Sequence, residues 1–254
     1  MNINQLNRFQ AFGGHLLGSV LVGLCSAALV FLVWYPWPFS FATGVTAIFV
    51  LLLSVDVIIG PCITLIVFNP AKKELKRDLA IVLLLQLGAL LYGLHIVQIE
   101  RPVYYVFGAN RFDLVYASDL TPENLAQVTD ARFKNAPLTG PELVAATIPG
   151  SEKARNEILF NAMARGEDLP QLPQYYVPYA ERRQQVLEKV QPLDKLKSFN
   201  TAREDEINSL IGKYSSIKEG VGFLPLRGKV EDLAVIVSKD SAEILEIRDL
   251  KPWQ

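Results

Sequence analysis

Histidine and cysteine are absent from everything beyond residue 95 of this 254-residue chain. That portion therefore cannot assemble a Ser-His-Asp triad, a Cys-His nucleophile pair or an imidazole–thiolate metal site. A disulfide framework is excluded there as well. The G-x-S-x-G, P-loop and dinucleotide-binding glycine patterns are also missing. At the other end the chain lacks charge. Residues 1–99 carry five Lys or Arg and three Asp or Glu, whereas residues 100–254 carry 20 and 23. A chain of formal net charge −1 that divides this way has one region suited to lipid and another suited to water. It offers no basic face for nucleic acid. Cys25 and Cys62 both lie in apolar runs; apart from each other, they read as small packing residues and make no metal motif. No cofactor is implied.

Three apolar stretches, 11–35, 41–68 and 79–99, are long enough to cross a bilayer, which takes about 20 residues. The first exceeds a signal-peptide core and has no A-x-A-like site after it, so it reads as a retained helix behind a short arm, residues 1–10. Trp34, Tyr35 and Trp37 gather at its far end, at headgroup depth, and Pro36 and Pro38 turn the chain. Lys72, Lys73, Lys76 and Arg77 crowd the loop between spans two and three, and Arg8 lies in the arm. Lys/Arg bias predicts a cytoplasmic N-terminus and a cytoplasmic 69–78 loop. An odd number of spans then sends residues 101–254 to the opposite side, the periplasm for an inner-membrane protein of a Gram-negative cell.

Asp56 lies in the middle of the second span, where a charge costs about 2.5–3.5 kcal/mol on insertion scales. Asp56, Gly60 and Thr64 fall at i, i+4 and i+8, on one helix face. Pro61 removes the donor that would serve the Val57 carbonyl and predicts a kink, while Gly60 admits a neighbouring helix. Candidate partners in the other spans are His15, Ser19, Ser26, Gln86, Tyr92 and His95. Three roles stay open for this face: internal packing, contact with a transmembrane helix of another protein, or proton relay. An intramembrane aspartyl dyad would need a second carboxylate, and the spans hold none. His15 and His95 fall near opposite ends of their spans and make a poor metal pair.

Beyond residue 100 the pattern predicts strands at 102–107 and 111–116, then helices at 121–130, 151–165, 179–190 and 201–214. Gly166 stops the second helix, and Thr201 with Glu204 has capping-box spacing at the start of the fourth. Strands follow at 222–226, 232–237 and 243–247, the last two joined through Lys239-Asp240-Ser241 as a hairpin. The fold class is therefore three N-terminal transmembrane helices followed by a small α+β domain, with strands from both ends of that domain in one sheet. The stretch LPQLPQYYVPY places Tyr175, Tyr176, Pro178 and Tyr179 together, either as an extended arm wrapped on the domain or as a protein-docking segment. Nothing in the domain points to an enzyme.

The run LLLSVDVIIGPCITLIVFNPAKKELKRDLAIVLLLQLGALLYGL resembles the signature of the TfpX/TfpZ type IV pilin accessory proteins of Gram-negative bacteria. Asp56, Gly60, Pro61, Thr64, Phe68, Pro70, Lys72, Lys73 and Asp78 fall on its recurring positions. NRFQAF, VWYPWP, RPVYYVF, LPQYYVPY and FLPLRG resemble the family too, so the similarity covers nearly the whole chain apart from about 120–160. The resemblance implies a multi-pass inner-membrane protein that assists or modulates type IV pilus assembly. Its partners would be the major pilin or inner-membrane pilus components, together with the lipid bilayer. No catalytic residues carry over. The expected mode of action is that the spans hold the apolar helix of membrane-stored pilin while the outer domain touches its globular head. The rival readings are a membrane-anchored periplasmic sensor or binding module, and a small ion-coupled transporter.

Overall fold

The computed structural model describes residues 6–253; residues 1–5 of the expected cytoplasmic arm and Gln254 lie outside the described residues. The chain forms two compact units. One holds the residues up to Val33 together with Val45–Ile99, and the other holds Trp34–Gly44 together with Glu100 onward.

In the first unit, helix α1 (Arg8–Ala28) opens on a reciprocal cap. The Asn7 side chain accepts from the Gln10 N–H, and the Gln10 side chain accepts from the Asn7 N–H. The helix runs on through wider π turns at Leu29–Trp34. The second long helix is built from α3 (Val45–Ser54), a π turn (Val55–Ile59) and α4 (Gly60–Val67), and the third is α5 (Leu75–Ile99). The first continues its ladder through the π turns and the third is α-helical throughout, so main-chain groups pair within the helix, as a lipid solvent requires. All three helices have membrane-spanning length and composition. Their outward faces are apolar: Leu32, Ile66 and Leu84 are all exposed. Phe31 and Phe49 pack edge to face at 5.3 Å within the unit. The second helix begins at Val45 rather than at residue 41. A short helix, α2 (Phe39–Thr43), comes first and ends at Gly44, whose φ of +69° is a left-handed conformation that glycine adopts without strain.

The second unit is an eight-stranded sheet. Its strands are β1 (Pro102–Phe107), β2 (Phe112–Tyr116), β3 (Glu142–Ala146), β4 (Tyr176–Pro178), β5 (Gln191–Pro192), β6 (Val221–Arg227), β7 (Leu233–Ser238) and β8 (Ile244–Arg248). The order is β4-β3-β1-β2-β6-β7-β8, with β5 beside β6. The parallel β2–β6 pairing joins strands from the two ends of the domain, as the pattern predicts. Side chains alternate between faces. Phe107, Phe112, Leu224, Leu226 and Val235 pack on one face. Tyr104, Val144 and Tyr176 pack on the other, and so do Phe223 and Ile236 with Ile207 and Leu210 of α10 (Glu204–Lys213).

Several helices differ from expectation. The segment 121–130 is helical only at α6 (Pro122–Ala126). α7 (Glu152–Arg165) matches, and Gly166 caps it at φ +72°. Residues 179–190 break into a 3-10 turn and α8 (Arg183–Leu187), and a further short helix, α9 (Lys195–Phe199), follows. Thr201 starts a separate 3-10 turn, so its capping box with Glu204 does not form, and α10 opens at Arg203 without a side-chain cap.

The turn joining the first two spans is embedded in this second unit. Phe39 and Ala42 are buried in its core, and the Phe39 and Tyr105 rings lie 5.5 Å apart. The Ala42 carbonyl accepts from the N–H groups of Val230 (3.0 Å) and Glu231 (3.2 Å). In the sequence residues 36–40 read as a short turn and 41–44 as the start of the second span; in the fold Phe39 and Ala42 belong to the domain core.

Candidate intramembrane cleft

Pro61 sets the local structure of the second span. The Gly60 N–H donates to the Val55 carbonyl, an i→i−5 bond that defines the π turn. In that register the missing N–H of Pro61 leaves the carbonyl of Asp56, rather than that of Val57, without its main-chain partner. Gln86, on α5, supplies the replacement: its Nε2 donates to the Asp56 carbonyl at 3.2 Å. The amide can enter because residue 60 has no side chain. A Cβ there would stand 1.6 Å from Gln86 Nε2.

On the α1 side, His15 Nδ1 and Thr64 Oγ1 are hydrogen-bonded at 2.6 Å. The face predicted from spacing therefore meets both neighbouring spans. Asp56, Gly60, Pro61 and Thr64 are all buried within the unit, Asp56 to 7 % exposure and Thr64 to 3 %. Two of the six candidate partners, His15 and Gln86, contact this face directly.

Asp56 is not satisfied by these contacts. Both of its carboxylate oxygens, and Oε1 of Gln86, are buried without a hydrogen-bond partner among the described residues. All of these groups line a cleft of about 550 Å³ between α1, α4 and α5. Ser19 also lines it, whereas Ser26, Tyr92 and His95 are not among its walls. Apart from Gln10, the rest of the lining is apolar, including Val22, Leu53, Leu83 and Leu90. Gly14 and Gly18 form one exposed wall, and a Cβ on either would meet nothing within 4 Å. Their four-residue spacing is the small-xxx-small pattern that lets helices approach closely. The sequence holds that spacing in GHLLG, but two glycines in an apolar span carry no polar group to single them out beside Asp56.

The other expected site residues separate from this cleft. Lys72, Lys73, Lys76 and Arg77 are exposed on the loop before α5 and on its first turn, with Lys72 paired to Asp78 and Arg77 to Glu74. The segment around Tyr175 packs into its own domain, with Tyr175 and Pro178 left partly exposed. Tyr176 and Pro178 belong to edge strand β4, paired to β3. The buried Tyr176 hydroxyl donates to the Pro170 carbonyl, and the Tyr179 hydroxyl donates to the Ala242 carbonyl at 2.7 Å. Tyr175 packs against the cluster holding Tyr104 and Tyr176. These rings can be buried because main-chain carbonyls accept their hydroxyl protons. Cys25 and Cys62 are free and exposed on the spans rather than packed inside. Among the described residues no group of three or more His, Cys, Asp or Glu could hold a metal ion.

Comparison with known proteins adds the lineage. The family model described as fimbrial assembly protein FimB matches residues 4–44. A curated relative, fimbrial assembly protein of serogroup E1 from Dichelobacter nodosus, is 30% identical over 217 residues, covering 84% of each chain. This chain belongs to the fimbrial assembly protein family. The serogroup I protein of the same organism matches equally, at 30% over 217 residues and 84% of each chain. The protein of serogroups C1 and C2 is 35% identical over 117 residues, 45% of this chain and 89% of that protein. No solved structure matches. The FimB match spans the α1 wall of the cleft, with Gly14, His15 and Gly18, and runs on to the turn whose Ala42 carbonyl is held by the second unit. Membership in this family is compatible with the resemblance to the TfpX/TfpZ accessory proteins.

Proposed function

We propose that this fimbrial assembly protein is a non-enzymatic accessory of type IV pilus biogenesis that holds the apolar helix of membrane-stored pilin in the cleft between α1, α4 and α5. One observation carries this reading. The membrane unit presents an open, mostly apolar cleft whose glycine wall has no neighbour of its own. A helix can lie against Gly14 and Gly18 at short interaxial distance, which is how spans associate when no hydrophobic force drives them together. Family membership supplies the fimbrial context. The Lys/Arg bias supports an inner-membrane orientation with the basic 69–78 loop in the cytoplasm and the sheet domain in the periplasm.

The test is site-directed photocrosslinking in piliated cells. Probes replacing Val22 and Leu83, which line the cleft, should crosslink to pilin, whereas a probe replacing lipid-facing Ile66 should not. Absence of any crosslink to pilin or to a pilus-machine subunit from the cleft sinks the reading, and would favour spans that serve as an anchor alone.

A further inference from the structure

Among the described residues, Asp56 and His15 are the two titratable side chains in the walls of the cleft, and each acts on the other. His15 comes from α1, and its ring bears on the Gln86 side chain as well. Thr64 of α4 takes its Nδ1, which leaves Nε2 as the ring's other polar position. From α5 the polar group is Gln86, whose Nε2 is given to the Asp56 carbonyl. Its Oε1 is a buried acceptor without a donor among the described residues, and so are both side-chain oxygens of Asp56. Asp56 is the twelfth residue of the 23-residue helix Val45–Val67, so these acceptors gather at mid-span. An ionised Asp56 would set a net charge against an apolar occupant, which is costly in a bilayer. An ion pair with His15 would bury two charges there. One proton on the carboxyl removes the charge and supplies the missing donor, because a protonated carboxyl has an O–H to give and an oxygen that still accepts. Gln86 Oε1 and the imidazole are the acceptors at hand.

We propose that Asp56 is a proton-binding site and that the cleft receives an apolar helix with Asp56 in its protonated, neutral form. The inference rests on the helix-holding reading above and sharpens it: an uncharged cleft for an uncharged helix. Loss of the proton sets a carboxylate against the occupant and releases it. His15 is the one other group in the lining that can carry the proton.

The experiment uses the full chain in nanodiscs of an ether-linked phosphatidylcholine, which has no ester carbonyl to mask the infrared bands of carboxylic acids. The probe is a dye-labelled Leu/Ala spanning peptide without charged residues in its span. With the peptide bound at neutral pH, the spectrum should show the carbonyl stretch of a protonated carboxyl. That band should move on carbon-13 labelling of aspartate and vanish in Asp56→Asn. As pH rises the band should bleach, and over the same range affinity for the peptide should fall by up to about tenfold per pH unit, the slope of a one-proton linkage. Asp56→Asn, an uncharged isostere, should bind as tightly as the protonated wild type and show no such fall. A bound peptide without the aspartic acid band overturns the proton site while leaving the helix-holding reading intact. Failure of the peptide to bind overturns both. Bleaching of the band without loss of affinity overturns the linkage, and a pH dependence that survives Asp56→Asn overturns the role of Asp56. The isotope shift needs no variant, so the wild-type spectrum decides even if a substitution unfolds the protein.

Discussion

The side-chain amide of Gln86 occupies the space that any side chain at position 60 would need, with Nε2 only 1.6 Å from where a Cβ would stand. Glycine at 60, proline at 61 and glutamine at 86 thus form one device: the proline strands a carbonyl, the glycine opens a path and the glutamine covers the carbonyl. Gly60→Ala should displace the amide and lose the bond to the Asp56 carbonyl. Because the amide is the end of a flexible side chain, the cost is that of a lost intramembrane hydrogen bond, about 1 kcal/mol, rather than a backbone distortion. Gln86→Leu should cost about the same. The Pro61→Ala background provides the discriminating measurement, because a restored N–H competes for the stranded carbonyl. There Gln86→Leu should cost clearly less, read as a coupling in thermal unfolding of the four proteins in detergent. Additive effects would mean that the amide does not answer the proline.

Much of this arrangement is legible in the sequence, and the part that is not has physical causes. Asp56, Gly60, Pro61 and Thr64 share a face because four-residue spacing is set by helix geometry. Which carbonyl the proline strands depends on a π turn, and no side chain announces a change of hydrogen-bond register. Strands β6, β7 and β8 declare themselves by β-branched runs and a turn. β3, in PELVAAT, is short and flanked by loops, and only its partners β1 and β4 make it a strand. The burial of Tyr176 and Tyr179 rests on two main-chain carbonyls, at Pro170 and Ala242, the second of them 63 residues away. Composition carries no record of such a long-range acceptor.

Gly228 is fixed by the embedded turn. A Cβ there would lie 2.2 Å from the Glu231 carbonyl oxygen and 2.9 Å from that of Ala42. Both are backbone atoms held by the bonds from Val230 and Glu231 to Ala42, so neither can move without breaking that docking. Gly228→Ala should destabilise the second unit by about 2–3 kcal/mol, within the range for a severe backbone clash. It should also expose residues 36–44 to protease before the rest of the domain unfolds. Unchanged protection of that turn would contradict its role in the core.

Asp113 gives the second unit a pH dependence of defined sign. It is buried on β2 opposite Arg227 of β6, with the Arg227 Nε at 2.7 Å and the Arg111 Nε at 3.1 Å. Burial pushes its carboxyl above the ordinary value of 3.8, and the two guanidinium groups pull it only part of the way back. A folded-state value above the unfolded one means that the folded protein binds the proton more tightly. The linked stability is fully present below 3.8 and is lost as pH rises through the folded value. The stability of wild type minus that of Asp113→Asn should therefore fall with rising pH from about 4 upward. Paired melting curves across the acid range would read this directly, and a difference that grows with pH would refute it.

Gly18 separates the proposed work of the cleft from the stability of the protein. It lines the open wall, is exposed, and a Cβ added to it would meet nothing within 4 Å. The first atom of a side chain there meets no part of this chain. Leucine should raise helix propensity, by up to about 1 kcal/mol relative to glycine. Its side chain would project into the space a partner helix needs, and the close approach that glycine permits would be lost. Gly18→Leu should thus melt at or slightly above the wild-type temperature while losing pilin crosslinks from Val22 and Leu83 by about tenfold or more, equivalent to about 1.4 kcal/mol. Gly13→Leu is the control. Gly13 is also unobstructed, but it is absent from the lining of the cleft. Equal loss from both variants would point to a general defect in insertion, and no loss from either would mean that the glycine wall receives nothing. Loss from Gly18→Leu alone, with folding intact, is the outcome that a helix-receiving cleft requires.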